Sequence, residues 1–370
     1  MAEPLKHFFD RALVVSLGED LRAVQPSFPL RRFIDEGSRG LAELELLDRA
    51  AWITDTLEGA LPPSFPEAAR IIAAALPPAQ PPQEGLGMAP FRYLPYVLFV
   101  QRRGLDHFEE AMALQHALTQ RFTAEWSLRP YLLVHREATL ARLAEWARDP
   151  SAHVRRLVSE GTRPRLPWAP RLRDFQANPE PVLALLERLK DDPHRYVQRS
   201  VANNLNDIAK DHPDRVVEVC RRWWVNAPPS RQWVVRHALR SLLKARHPGA
   251  LALLGVGEAP RVRVADVRLT PRKVRLGEVA RFRFTLVSTA ARTQALLVDF
   301  AVHFVKARGG TSAKVFKLTK LELPPRGQVE LGGKVSFEAL TTRKAYAGEH
   351  RIELLVNGTV LPLATVEVTE

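Results

Sequence analysis

DPSAHVRRLVSEG (Asp149–Gly161) and DPHRYVQRSVANN (Asp192–Asn204) superimpose at an offset of 43 residues. In that register Val154 matches Val197, Arg156 matches Arg199 and Glu160 matches Asn203. PPSRQWVVRHALRS (Pro228–Ser241) continues the series 37 residues further on, where Arg199 matches Arg236. A helix, a turn and a second helix opening on Val-x-Arg, recurring at this period, fit HEAT-like units, which bury their apolar faces by stacking on one another. Outward from the repeat, apolar side chains keep three- and four-residue spacing through LAELELLDRAAWITDTLEGAL (41–61), DHFEEAMALQHALTQRF (106–122), ATLARLAEWARD, PVLALLERLKDD and PDRVVEVCRRWW. ALPPAQPPQEGLGMAP (75–90) reads as a loop between helical units. After GVGEAP (255–260) the period becomes two, in VRVADVRLTP, EVARFRFTLVST, ALLVDFAVHFVKA, KVFKLTKLEL, GKVSFEAL, HRIELLVNG and ATVEVTE. Seven short strands with turns between them predict an immunoglobulin-like sandwich without its cysteine pair. The expected fold is multidomain, α then β: an all-α HEAT-like solenoid over 1–257, then an all-β sandwich over 260–370.

Charge narrows the partners. Lys and Arg number 54 against 41 Asp and Glu, a balance of +13, and the isoelectric point is about 10.3. Residues 260–370 alone hold 19 Lys+Arg and 10 Asp+Glu, which makes the sandwich a DNA-gripping element on this reading. The single cysteine, Cys220, forms no internal disulfide and anchors no zinc, so a reducing cytoplasmic compartment is expected. MAEPLKHFFDRALVVSLGED carries Asp10, Arg11, Glu19 and Asp20 and so has no signal-peptide core. No apolar run approaches the roughly 20 residues that cross a bilayer, and the expectation is a soluble protein without a membrane partner. There is no GxxxxGK[ST] loop, GxSxG elbow or HExxH, and the 11 histidines lack metal-ligand spacing. Neither metal nor organic cofactor is expected.

The two matched units part company after Glu160. The second runs on as helix at least to Lys210, whereas the first stops at Gly161 and meets Pro164 and Pro167. Proline removes a backbone donor and restricts the residue before it, so the helix ends and Trp168 rides on a stiff loop. Arg155 and Arg156 fit two readings equally: an Asp–Arg ladder between repeats, or phosphate binding. On the face of the second helices, Arg156, Arg199, Arg236 and Arg240 would form a positive track. A carboxylate in such a track, Glu160, opposes phosphate binding, and its plainest role is an ion pair with Arg156 one turn back.

MAEPLKHFFD (1–10), RFTAEWSLRPYL (121–132), SEGTRPRLPW (159–168) and YVQRSVANNLNDIAKDHPD (196–214), in this order, resemble the AlkC branch of the AlkC/AlkD alkylpurine DNA glycosylases. SEGTRPRLPW is the most AlkC-specific, and a C-terminal immunoglobulin-like domain occurs in a subset of AlkC proteins. The resemblance implies excision of cationic N-alkylated bases, chiefly 3-methyladenine and 3-methylcytosine, from double-stranded DNA without turning the base into a deep pocket. The chain departs from AlkD at Asn203, where AlkD has an aromatic; the aromatic contribution then falls to Trp168.

A base alkylated at N3 is already cationic and leaves without protonation. What remains is to stabilise an oxocarbenium-like sugar and to place a water at C1′, which carboxylates do best where bulk water is excluded. Glu125, Glu160 and Asp207 are the expected catalytic carboxylates, with Trp168 stacking on base or sugar. Arg155, Arg156, Arg163, Arg165, Arg199, Asn203, Asn206, Arg236 and Arg240 are the expected DNA contacts. The plainer readings are ion pairs of Glu125 with Arg129, Glu160 with Arg156 and Asp207 with Lys210, and a packing role for Trp168. Trp223 and Trp224 read as core, and Trp126 as ambiguous. The enzyme would act as a monomer; the competing class is a non-catalytic HEAT-like scaffold for nucleic acid or an acidic protein.

Overall fold

The computed structural model describes residues 5–79, 89–254, 260–307, 309–338 and 345–370. Most of the Pro-rich loop 75–90, most of the 255–260 junction, the first four residues of the MAEPLKHFFD motif and the end of GKVSFEAL lie outside the described residues. The chain divides between Ala238 and Leu239 into two compact units.

The first unit holds α1 (Arg11–Val24), α2 (Leu30–Gly37), α3 (Leu46–Ala60), α4 (Phe65–Ala75), α5 (Leu94–Arg103), α6 (Phe108–Thr119), α7 (Glu125–Val134) and α8 (Arg136–Trp146). It continues with α9 (Ala152–Gly161), α10 (Arg173–Ala177), α11 (Glu180–Leu189), α12 (Arg195–Ile208), α13 (Pro213–Trp224) and α14 (Pro229–Ala238). The sequence repeat is a repeat of helix pairs: α8–α9, α11–α12 and α13–α14, with α12 packed between α9 and α14. The helical spacing explains the packing, since Val154, Leu157 and Val158 of α9 and Val197, Val201, Leu205 and Ile208 of α12 are all buried. The ladder between repeats is present. Arg155 grips both carboxylate oxygens of Asp192 at 2.6 and 3.2 Å and also donates to the carbonyls of Asp149 and Pro150. Arg231 grips Asp191 in the same bidentate way at 2.6 and 2.7 Å.

Helix α12 ends at Ile208 and passes into a turn through Asp211, two residues short of the expected Lys210. Helix α9 ends at Gly161 as expected. The Asn204 amide donates to the Ser159 carbonyl at 2.7 Å, and Thr162 Oγ1 donates to the Val158 carbonyl at 2.8 Å, so two carbonyls that the ended helix leaves open are satisfied. A Cβ at Gly161 would lie 2.5 Å from Leu128, so α7 and the end of α9 approach as closely as they do only because this residue is glycine.

The second unit begins with two short helices, α15 (Arg240–Lys244) and α16 (Pro248–Leu253), which group with the strands and move the division 19 residues ahead of the expected 257. Its strands are β1 (Val262–Thr270), β2 (Lys273–Arg275), β3 (Val279–Ser288), β4 (Gln294–Val305), β5 (Thr311–Leu323), β6 (Gln328–Ser336), β7 (Gly348–Val356) and β8 (Thr359–Thr369). They form two sheets, β1-β3-β6 and β2-β8-β7-β4-β5, antiparallel except for β2 against β8. The seven expected strands are all present, and β2 is an eighth. Its three residues are too short to show a period. Alternating inward residues, among them Phe282, Phe284, Phe300, Phe304 and Phe337, make one core.

Candidate active site

Three expected carboxylates arrive at one place from three helices. Glu125 is the first residue of α7, where the helix dipole favours an anion. Glu160 and Asp207 are each the penultimate residue of α9 and α12, where the dipole disfavours one. Compensation comes from arginines. Arg156 Nη1 donates to Glu125 Oε2 at 2.5 Å and to Thr123 Oγ1 at 2.8 Å, and Nη2 stands 3.6 Å from Glu160 Oε1. Arg163 Nη1 donates to Glu160 Oε1 at 2.6 Å and its Nε to Asp207 Oδ2 at 2.8 Å. Lys210 Nζ closes the series on Asp207 Oδ1 at 3.0 Å. The result is an alternating chain, Glu125–Arg156–Glu160–Arg163–Asp207–Lys210, in which only Lys210 is substantially exposed.

The two glutamates differ in environment. Burial pushes Glu160 up, but Arg156, Arg163 and the Ser200 hydroxyl, which donates to Oε2 at 2.6 Å, outweigh it and hold the carboxyl below its ordinary range. Glu160 is therefore ionised, with both oxygens occupied. At Glu125 burial raises the pKa despite the pull of Arg156, and the charge of Glu160 adds to the rise. Its Oε1 accepts no hydrogen bond among the described residues, so Glu125 keeps one oxygen for something else. Burial opposes the charge of Arg156, yet Glu125 and Glu160 hold its pKa above the ordinary value. The guanidinium also lies 5.5 Å from the centre of the Tyr196 ring.

Five residues after Arg163 comes Trp168, 65% exposed, with φ of +62°. A non-glycine residue in this conformation costs about 1–3 kcal/mol and persists only where the surroundings impose it. The loop does so. Leu166 and Leu172 are buried, and Leu172 N donates to the Pro164 carbonyl at 3.2 Å. The packing reading of Trp168 fails on its exposure. Trp223 is buried as expected, with Nε1 donating to Glu187 at 2.6 Å, whereas Trp224 is half-buried and lies under Arg236. Trp126 is half-buried.

Several of the expected DNA contacts are engaged within the protein. Arg155, Arg156 and Arg163 are turned inward onto Asp192, Glu125, Glu160 and Asp207, and Arg165 is spent on both oxygens of Asp211 at 2.6 and 3.0 Å. Arg155, Arg156 and Arg163 thus neutralise buried or nearly buried acids, and Arg165 a half-buried one. Asn206 is buried and donates to the Ala238 carbonyl at 2.9 Å, closing the end of α14. The i,i+4 pair of Glu125 with Arg129 does not form, because Glu125 turns to Arg156 and Arg129 to backbone carbonyls. Asp207 does pair with Lys210, but as a buried acid rather than a surface one. Arg199 and Arg236 are exposed. Asn203 is half-buried, its Oδ1 lying 3.3 Å from His237 Nε2, and Arg240 opens α15 in the second unit. Ser200 was missed, and its signal was in the repeat: it stands where the first unit has the core leucine Leu157. Among the described residues no group of three or more His, Cys, Asp or Glu side chains is arranged to hold a metal ion.

Comparison with known proteins bears on the same segments. A family model described as "DNA alkylation repair enzyme" matches residues 122–242, and one described as the C-terminal Ig-like domain of YhaZ matches residues 263–370. The uncharacterized protein YhaZ of Bacillus subtilis (strain 168) is 36% identical over 360 residues, 96% of this chain and 97% of that one. The solved structure of Pseudomonas fluorescens alkylpurine DNA glycosylase AlkC, bound to DNA containing an abasic site analog, is 37% identical with a TM-score of 0.91 and 100% of both chains covered. The chain belongs to the AlkC family of DNA alkylation repair glycosylases and carries a C-terminal immunoglobulin-like domain of the YhaZ type.

Proposed function

We propose that this protein hydrolyses the N-glycosidic bond of cationic N-alkylated bases, 3-methyladenine and 3-methylcytosine, in double-stranded DNA, as a monomer and without deep extrusion of the base. The observation that carries this reading is Glu160: an ionised carboxylate, nearly shut off from water and locked by two guanidiniums and a hydroxyl. Such a group requires no reorganisation as positive charge grows on a sugar, which is the condition for electrostatic catalysis. As the C1′–N bond breaks, its electron pair passes to the base and neutralises the charge already there. An ordinary purine lacks that charge and leaves poorly, so the chemistry itself selects the damaged base.

Glu125 takes the second role. Its unused oxygen suits it to accept a proton from the water that attacks C1′, leaving the abasic sugar as product. Asp207 fixes Arg163 from the far side, and Trp168 offers the exposed aromatic face for the base or sugar. Arg199 and Arg236, exposed on the helical unit, are the phosphate contacts on this reading. The DNA held by AlkC in its solved complex supports the choice of partner.

The test is release of free base from N-methylated duplex DNA in the presence of a chelator, read by chromatography. The expected outcome is 3-methyladenine and 3-methylcytosine from the native protein, with Glu160→Gln slowed about 10²–10³-fold and still binding DNA. Tight binding with no released base from the native protein would leave a DNA-binding scaffold.

A further inference from the structure

We infer that Arg129 is a positioning residue of this site, a backbone clamp that sets Arg163 and Trp168 against the helix carrying Glu125. The inference rests on the glycosylase reading only for its effect on rate. Arg129 lies one turn after Glu125 on α7 and is 2% exposed. Burial, followed by repulsion from Arg163, pulls its pKa down to about 10, which leaves it charged at neutral pH. No carboxylate bonds to it among the described residues. Instead Nε donates to the Pro170 carbonyl at 2.7 Å, and Nη2 makes a second bond to the same oxygen. Nη1 donates to the Arg163 carbonyl at 3.0 Å and stands 3.4 Å from that of Gly161.

These three carbonyls bracket the segment that sequence reasoning singled out. Gly161 ends α9, Arg163 joins Glu160 to Asp207, and Pro170 lies two residues past Trp168. One guanidinium therefore gathers both ends of the loop and holds them to the α7 backbone. A buried cation paired only with neutral carbonyls is an expensive way to fill space, and an apolar side chain would fill it more cheaply. What the guanidinium adds is a planar fork of donors that reaches separate acceptors at once, which lysine lacks. A displacement of about 1 Å in a reacting group slows catalysis by up to about 100-fold.

The experiment compares full-length Arg129→Lys, Trp168→Ala and the double variant. Single-turnover release of 3-methyladenine is measured with enzyme in excess, and affinity is measured on duplex DNA carrying a tetrahydrofuran abasic analogue. Arg129→Lys is expected to lower the release rate about 10–100-fold while affinity changes by less than about 3-fold. The double variant is expected to be no slower than the slower single variant, because a misplaced Trp168 has already lost its contribution. Hydrogen exchange of the amides in 163–172 is expected to quicken in Arg129→Lys while that of α12 is unchanged. Unchanged loop exchange, a native release rate, or losses that multiply in the double variant would each overturn the proposal. Should Arg129→Lys fail to fold, Arg129→Met, apolar and of similar length, carries the same expectations. If the native protein releases no base, the glycosylase reading fails while the exchange measurement still decides the clamp.

Discussion

Glu160 shows how far a single side chain can be read before its neighbours are known. Its position in a basic helix pointed to an ion pair with Arg156, and that pair is present, but at 3.6 Å it is the weaker of two. The shorter bond comes from Arg163, three residues on and past the helix end, where a sequence pattern of helical neighbours does not reach. Because the folded-state pKa of Glu160 lies below the ordinary value, its ionisation stabilises the fold above the glutamate range, and that contribution is lost as pH falls through the depressed pKa. Glu160→Gln is therefore expected to lower the melting temperature most at neutral pH, with the gap closing in acid. Ser200→Ala removes one bond to the carboxylate and is expected to cost about 1.5–3 kcal/mol at neutral pH, with the same narrowing in acid. A pH-independent difference in either variant's melting temperature would contradict this account.

At the scale of elements, the break after α9 matters more than the helix before it. Pro164 and Pro167 announced that the helix stops, and Trp168 was placed on the resulting loop. Its left-handed backbone was not legible, since no rule assigns tryptophan to that region; the flanking contacts of Leu166, Leu172 and Arg129 impose it. Trp168→Gly is expected to separate stability from function. It removes backbone strain of about 1–2 kcal/mol and little buried surface, while glycine's greater freedom in the unfolded chain costs about 0.5–1 kcal/mol, so the melting temperature is expected to stay near native. Loss of stacking is expected to lower base release or DNA affinity about 10–100-fold, the equivalent of roughly 1–3 kcal/mol per stacked base. A native release rate and affinity in this variant would show that the exposed ring does nothing at the site.

At the scale of the whole molecule, charge is the quantity that local pattern cannot distribute. Residues 260–370 carry +9 of the +13, and the strand register shows where part of it goes. On the outer face of β1-β3-β6, Arg268 faces Arg283 and Lys334 faces Arg281, all exposed. Like charges directly opposite destabilise a sheet, so this face is expected to meet a polyanion. Replacing Arg281 and Lys334 together by glutamate is expected to weaken DNA binding and to flatten its log–log salt dependence by about 2 units, roughly 0.9 per lost phosphate contact. An unchanged slope would mean that the sandwich charge is irrelevant to DNA.

Helical and strand periods, the repeat at Asp149 and Asp192, the helix-breaking prolines and the excess of basic residues are local or additive properties. They determined by themselves the order α then β, the paired helices, the loop under Trp168 and the residue types of the site. The long-range partners of Arg156 and Arg163 were decided only by tertiary structure, because such an ion pair forms with whichever acid the packing of distant helices delivers. Arg156 could have faced phosphate or carboxylate. The stacking of α9 against α7 brought Glu125 within its reach, opposite Glu160 one turn on along the same helix, and burial made that pairing obligatory.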